Sequence, residues 1–201
     1  MNRLWNILFI ALFATSLSSC DDTADTNLDQ RTDIIDYLES SHSPKLLYID
    51  DAEESLDDDP AFYTIGGYTT FMYVETFYDT DRETLPQIKK GSTISITYTL
   101  YNFENITTPT TSDILTSNDA EQIALLEEAG LNATYWSSEP LFLRVGEGTI
   151  FSSIEDMLIG CYEGDVIEFY MTLNDAYGTA IIGSSTEGEP LAFFCTINEV
   201  I

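Results

Sequence analysis

With 201 residues, 44% of them hydrophobic, the chain is long enough to bury one real core. Thirty-five acidic against seven basic residues give a formal net charge of −28. That excludes nucleic acid and anionic membrane surfaces as partners, since both need a basic footprint. The single histidine, His42, leaves Ser-His-Asp, Cys-His or His-rich metal chemistry with little to build on.

The first nineteen residues read as a processing signal. Arg3 gives a basic start, and Leu4 to Phe13 give an apolar run too short to span a ~30 Å hydrocarbon core. The run leads into Leu17-Ser18-Ser19-Cys20, which resembles the lipobox of bacterial lipoproteins. The resemblance implies acylation of Cys20 and a chain held at the cell envelope, on its periplasmic or surface face. Contact with the membrane would then be through the lipid anchor only. An ordinary signal peptide cut near Ser19, with a free Cys20 thiol, is the alternative.

Residues 20–27 are polar and acidic and read as a flexible tether. Asp29 to Ser41 has a helical pattern, with Ile34, Ile35, Tyr37 and Leu38 on one side, and Ser43-Pro44 stops it. Leu46 to Ile49 is a short strand, followed by an acidic loop ending at Pro60. Within this stretch Asp50-Asp51 and Asp57-Asp58-Asp59 lack the alternation and the glycine of a calcium loop. A solvated acidic surface is the expectation. Phe62 to Ile65 and Thr69 to Phe77 flank Gly66-Gly67 as a hairpin.

Thr93 to Tyr101 alternates strictly, placing Ile94, Ile96, Tyr98 and Leu100 on one face of a half-buried strand. Asn105 to Asn118 reads as a Thr-rich loop. Asp119 caps a helix from Ala120 to Ala129, and Gly130 ends it. Pro140 to Val145 is a strand, Ile150 to Ile159 holds a short helix begun by Ser152 or Ser153, and Val166 to Leu173 is a strand. Asn174 to Glu189 is a loop, and Leu191 to Val200 is the last strand. Strands predominate and are joined largely by loops, so the expected class is an antiparallel α+β domain. Cys161 and Cys195 lie in apolar sequence and read as buried thiols, with a disulfide as the alternative.

From Gly91 onward the chain resembles the FKBP family of peptidyl-prolyl cis-trans isomerases. The motifs are Lys90-Gly91 leading a strand with Tyr98-Thr99, then Pro140 to Val145 as the aromatic strand, and Ile150-Phe151 turning into a helix. Gly164 follows, then Ala176-Tyr177-Gly178, then a last strand carrying Phe193. The resemblance implies a sheet wrapped around a short helix, with residues 28–88 as an N-terminal helix and hairpin extension. It makes 89–201 the FKBP-like domain, with an insertion near 105–138.

The resemblance assigns catalytic positions to Tyr98, Phe151, Tyr177 and Phe193, and substrate-binding positions to Leu141, Ile150 and Ile154. The Tyr177 hydroxyl and the Phe151 backbone N–H would meet substrate carbonyls. The implied partners are proline-containing segments of exported polypeptides, and the chemistry needs no cofactor and no metal. Ile154 stands where the family has a tryptophan, and Leu115-Thr116 is the nearest match to its Phe-Asp pair. These departures imply reduced activity, or a non-catalytic binding module on the same fold.

Overall fold

In the computed structural model, residues 21–130, 132, 136–172 and 189–201 are described. Their strands are β1 (Leu47–Tyr48), β2 (Phe62–Gly66), β3 (Thr70–Val74), β4 (Thr93–Asn102), β5 (Ile114–Ser117), β6 (Leu141–Arg144), β7 (Val166–Met171) and β8 (Leu191–Val200). They form one sheet in the order β1-β2-β3-β7-β8-β4-β5, and β6 also pairs with β4. Only β1 and β2 run parallel among these; the other pairs are antiparallel. This is the α+β arrangement that the strand-rich pattern predicts. Ten-residue β4 is the spine. It pairs with β8 along one edge, while β6 takes Thr93–Ile96 and β5 takes Thr99–Tyr101 along the other.

Side chains alternate across each strand, so the sheet has two faces. One face carries Ile94, Ile96 and Leu100 of β4, Ile167 and Phe169 of β7, and Phe193 of β8. Helix α4 (Ser152–Met157) covers it with Ile154 and, just past its end, Leu158. The other face carries Phe71, Tyr73, Tyr101 and Tyr170. It is covered by helix α1 (Asp21–Asp36) and the π-helical turn Tyr37–Ser41, through Ile34, Tyr37 and Leu38. Fully burying each such side chain is worth about 1.5–3 kcal/mol, so both helices are held by packing.

The second face explains two departures from the sequence pattern. Alternation alone makes β4 half-buried, yet Ser95, Thr99 and Tyr101 on its polar side are also buried. Thr99 Oγ1 and Ser117 Oγ lie 2.8 Å apart, which lets two hydroxyls be buried together. Helix α1 begins at Asp21, so the tether stretch from Asp21 to Asn27 is helical, and Asn27 is buried. The helix packed through Ile34 extends back through that polar segment.

His42 follows the π-helical turn and is buried. It is 6% exposed, ringed by Tyr37, Tyr73 and Tyr170 at centroid distances of 5.7, 5.4 and 6.2 Å. Its Nδ1 meets the Pro44 carbonyl, and its Nε2 lies 2.8 Å from Glu168 Oε2. The Tyr170 hydroxyl donates to the same oxygen at 2.6 Å.

The hairpin forms as the Gly-Gly signal predicts, with Gly66 opposite Thr70 and Gly67 at φ +65°. Helix α3 (Ala120–Glu128) starts where expected, with Asp119 accepting from the Glu121 and Gln122 amides. Strand β5 falls in a stretch that reads as a loop, and a five-residue helix α2 (Ile49–Glu53) takes the end of the expected Leu46–Ile49 strand and the start of the acidic loop. Beside the hairpin, Arg82 and Asp165 form a buried bidentate pair at 2.7 and 2.8 Å. The guanidinium lies 4.9 Å from the Phe77 ring and 4.6 Å from the Tyr162 ring.

Candidate functional site

Strands β4 and β8 run antiparallel with Leu100 opposite Phe193, which brings Tyr98 diagonally across from Phe193 on the α4 face. Their rings stack at 5.4 Å with 16° between planes. Phe151, the residue before α4, meets Phe193 edge-on at 6.4 Å and 78°. Phe169 stands 6.4 Å away on the other side. The three aromatic positions Tyr98, Phe151 and Phe193 are therefore brought together by elements far apart in sequence.

Ile150 and Ile154 belong to the same apolar cluster, and Leu141 packs against it from the edge strand β6. Phe151, Phe193, Ile150 and Ile154 are 2% exposed or less, whereas Tyr98 and Leu141 are half-buried. Phe151, Phe193, Ile150 and Ile154 thus fill the interior of the cluster, and Tyr98 and Leu141 are its half-buried members. Tyr177 and Cys20 lie outside the described residues.

The approach to Phe151 is fixed by a side chain that no sequence motif singles out. Glu155 is 1% exposed and its carboxylate accepts from three backbone amides: Gly146 at 2.8 Å, Gly148 at 3.0 Å and Ile150 at 3.0 Å. Charge-assisted bonds of this kind hold the β6–α4 loop in one conformation. Gly146 and Gly148 have φ of +93° and +72°, a conformation that favours glycine. The next amide, that of Phe151, has no hydrogen-bond partner among the described residues. It is a donor beside the aromatic cluster.

On the other flank stands Asn118. It is 6% exposed, its Oδ1 accepts from the Tyr98 amide at 2.6 Å, and its Nδ2 donates to the Ile96 and Glu139 carbonyls at 3.1 Å each. All of its polar side-chain atoms are spent on β4 and on Glu139, two residues before β6. In the sequence the Ser117-Asn118 pair is visible only as the end of a loop.

Among the described residues this core offers two thiols as possible nucleophiles. Cys161 and Cys195 are free, buried thiols of the same core. Burial pushes the Cys161 thiol up to about 12, and it also raises Cys195. Neither is a thiolate at neutral pH. Among the described residues no group of three or more His, Cys, Asp and Glu is arranged to hold a metal ion. None of their helices is long and apolar enough to cross a membrane.

Fold and site together define an α+β protein whose largely antiparallel sheet is packed by helices on both faces, with a non-nucleophilic aromatic cluster on one of them. No family model matches the chain, and no curated protein does. Among solved structures it is similar to a peptidyl-prolyl cis-trans isomerase from Pseudomonas syringae pv. tomato. The two share 14% identity over 89% of this chain and 95% of that one, with a TM-score of 0.48.

Proposed function

We propose that this chain is an FKBP-type folding helper that binds proline-containing segments of exported polypeptides and speeds rotation about their X-Pro bonds. A lipid on Cys20 would hold it at the envelope. The observation that carries the reading is Tyr98 stacked on Phe193 next to an edge-on Phe151 whose amide has no partner among the described residues.

Rotation about the X-Pro bond is slow because it breaks amide resonance, a barrier of ~18–20 kcal/mol. The twisted amide is less polar than the planar one. An apolar aromatic surface that grips the pyrrolidine ring therefore favours the twisted form, with no bond made or broken. The Phe151 N–H would hold a substrate carbonyl and fix the segment relative to Tyr98. Removing one polar partner from such a site costs about 1–3 kcal/mol, so the lack of the family's carboxylate at Leu115-Thr116 predicts slow turnover.

A second reading is favoured by the full burial of Ile154 and Phe193. On that reading the same surface binds proline segments without catalysing their rotation.

The amide resonance of Phe151 tests the binding that both readings share. Adding a proline tetrapeptide to the whole chain should shift it, and the alanine counterpart should not. Tyr98→Leu should abolish the shift. An unmoved Phe151 amide at saturating peptide contradicts both readings.

A further inference from the structure

Strand β6 is partnered on one side. Among the described residues it pairs with β4 and with no other strand. Across that pair Val145 donates to the Ser92 carbonyl at 2.9 Å. Backbone groups alternate in direction along an antiparallel ladder. Leu143 and Leu141 therefore turn theirs toward β4, and Phe142 turns its own away. The Phe142 N–H and C=O have no hydrogen-bond partner among the described residues. The Arg144 amide points the same way, and its carbonyl accepts from the Glu147 amide at 3.1 Å.

What such an edge takes follows from its chemistry. A free donor and a free acceptor on one extended residue are satisfied together by one residue of an antiparallel chain. The Phe142 side chain is 57% exposed, and the only other large hydrophobic exposed on a described strand is Leu47 at 38%. A ring in that place pairs with an apolar side chain directly opposite. Charge does not select here, because the one charged residue of the strand, Arg144, is paired with Glu147 at 3.3 Å. A second folded copy is a poor occupant. The four residues of β6 span ~13 Å at ~3.3 Å each. That is far too short an edge for the ~1,200–2,000 Å² that two folded proteins bury in a stable association. Each copy would also bring a formal charge of −28. A flexible segment meets neither obstacle.

We infer that the free edge of β6 binds an extended segment of another polypeptide as an added antiparallel strand. One residue of the segment exchanges both main-chain hydrogen bonds with Phe142 and lays an apolar side chain against its ring. That residue cannot be proline, which has no N–H to give. The edge goes beyond the isomerase reading and does not need it: unfolded chain is held there by its backbone. Leu141 belongs to β6 and packs against the aromatic cluster, so the two grips are neighbours on one strand.

The test is NMR titration of the whole chain with an uncharged, proline-free heptapeptide, one central phenylalanine among serines and threonines. The Phe142 amide should shift, and its exchange with solvent should slow. N-methylating the peptide's phenylalanine should weaken binding about tenfold or more, since a backbone bond is lost and the methyl group blocks approach. N-methylating the residue after it, whose N–H points away from β6, should change affinity by less than about twofold. Phe142→Ser, a change at an exposed position, should weaken binding several-fold. An unmoved Phe142 amide at millimolar peptide would overturn the inference. So would equal losses from the two N-methylations, or a Phe142→Ser chain that binds like the parent. A Phe142 amide already protected in a dimer without peptide would also overturn it, by giving the edge to a second copy. The Phe151 amide is read in the same spectra and reports the aromatic cluster, so the isomerase reading stands or falls separately.

Discussion

His42 Nε2 lies 2.8 Å from Glu168 Oε2, and this contact ties the end of the N-terminal helical segment to strand β7 across 126 residues of sequence. Burial pulls the His42 pKa down, but the hydrogen bond to Glu168, the contact with the Pro44 carbonyl and the Glu168 charge hold it above the ordinary value. The folded state therefore favours the proton. The stabilisation is complete below the ordinary histidine pKa of ~6.5 and fades as pH rises through the higher folded value. His42→Gln should cost about 1.5–3 kcal/mol at pH 6, the usual size for removing a hydrogen bond to a charged group. The gap between parent and variant should narrow towards pH 9. Urea denaturation at both values checks this, and a gap that widens with pH contradicts it. Comparing parent with variant cancels the repulsion among the many other carboxylates, which also changes with pH.

Arg82 and Asp165 are 9% and 1% exposed, so removing one partner strands the other's charge in the core. Arg82→Met should destabilise the fold by about 3–5 kcal/mol. Adding Asp165→Asn should recover only part of this, because Asp165 also accepts from the Tyr162 amide at 2.8 Å. Equilibrium denaturation of the single and double variants gives the coupling. A single variant as stable as the parent would show that the pair contributes nothing.

Much of the fold is legible in the sequence because it rests on local pattern. Ile94, Ile96, Tyr98 and Leu100 announce β4, Gly66-Gly67 the hairpin and Asp119 the start of α3. Strand β5 is not legible. It has four residues, and its hydroxyl-rich Thr116-Ser117 is a strand only because β4 pairs with it. The helix over Asp21 to Asn27 likewise has no apolar period to announce it. At the candidate site, Tyr98, Phe151 and Phe193 can be picked out by resemblance to a family motif. Glu155 and Asn118 cannot, since their roles exist only once three glycine-loop amides, or two strands, converge on them. The signal for Glu155 is indirect: Gly146-Glu147-Gly148 is a turn whose amides need acceptors, and a carboxylate follows on the next helix.

The Glu155 clamp should be visible in amide exchange. Glu155→Gln keeps the shape but removes the charge shared by three donors, and about 1–2 kcal/mol of stability should go with it. Exchange at Gly146, Gly148 and Ile150 should accelerate more than exchange in β7 or β8. Uniform acceleration across the sheet would mean that Glu155 has no local role.

The proposed lipid attachment at Cys20 makes a prediction that does not involve the fold. Expressed with its first nineteen residues in a bacterium, the chain should fractionate with membranes and incorporate labelled palmitate. Cys20→Ala should release it to the soluble fraction unlabelled. Because anchoring by a single acyl chain is marginal, complete membrane retention implies more than one. Label retained by the Cys20→Ala chain would exclude this anchor.

The most direct test of the proposed activity is the cis–trans exchange rate of a proline tetrapeptide, measured by exchange NMR with catalytic amounts of the whole chain. The account predicts exchange faster than the uncatalysed tens of seconds, with the acceleration falling about tenfold or more in Tyr98→Leu. Exchange at the uncatalysed rate, under conditions where the peptide is bound, would contradict it and leave a binding protein in place of an isomerase.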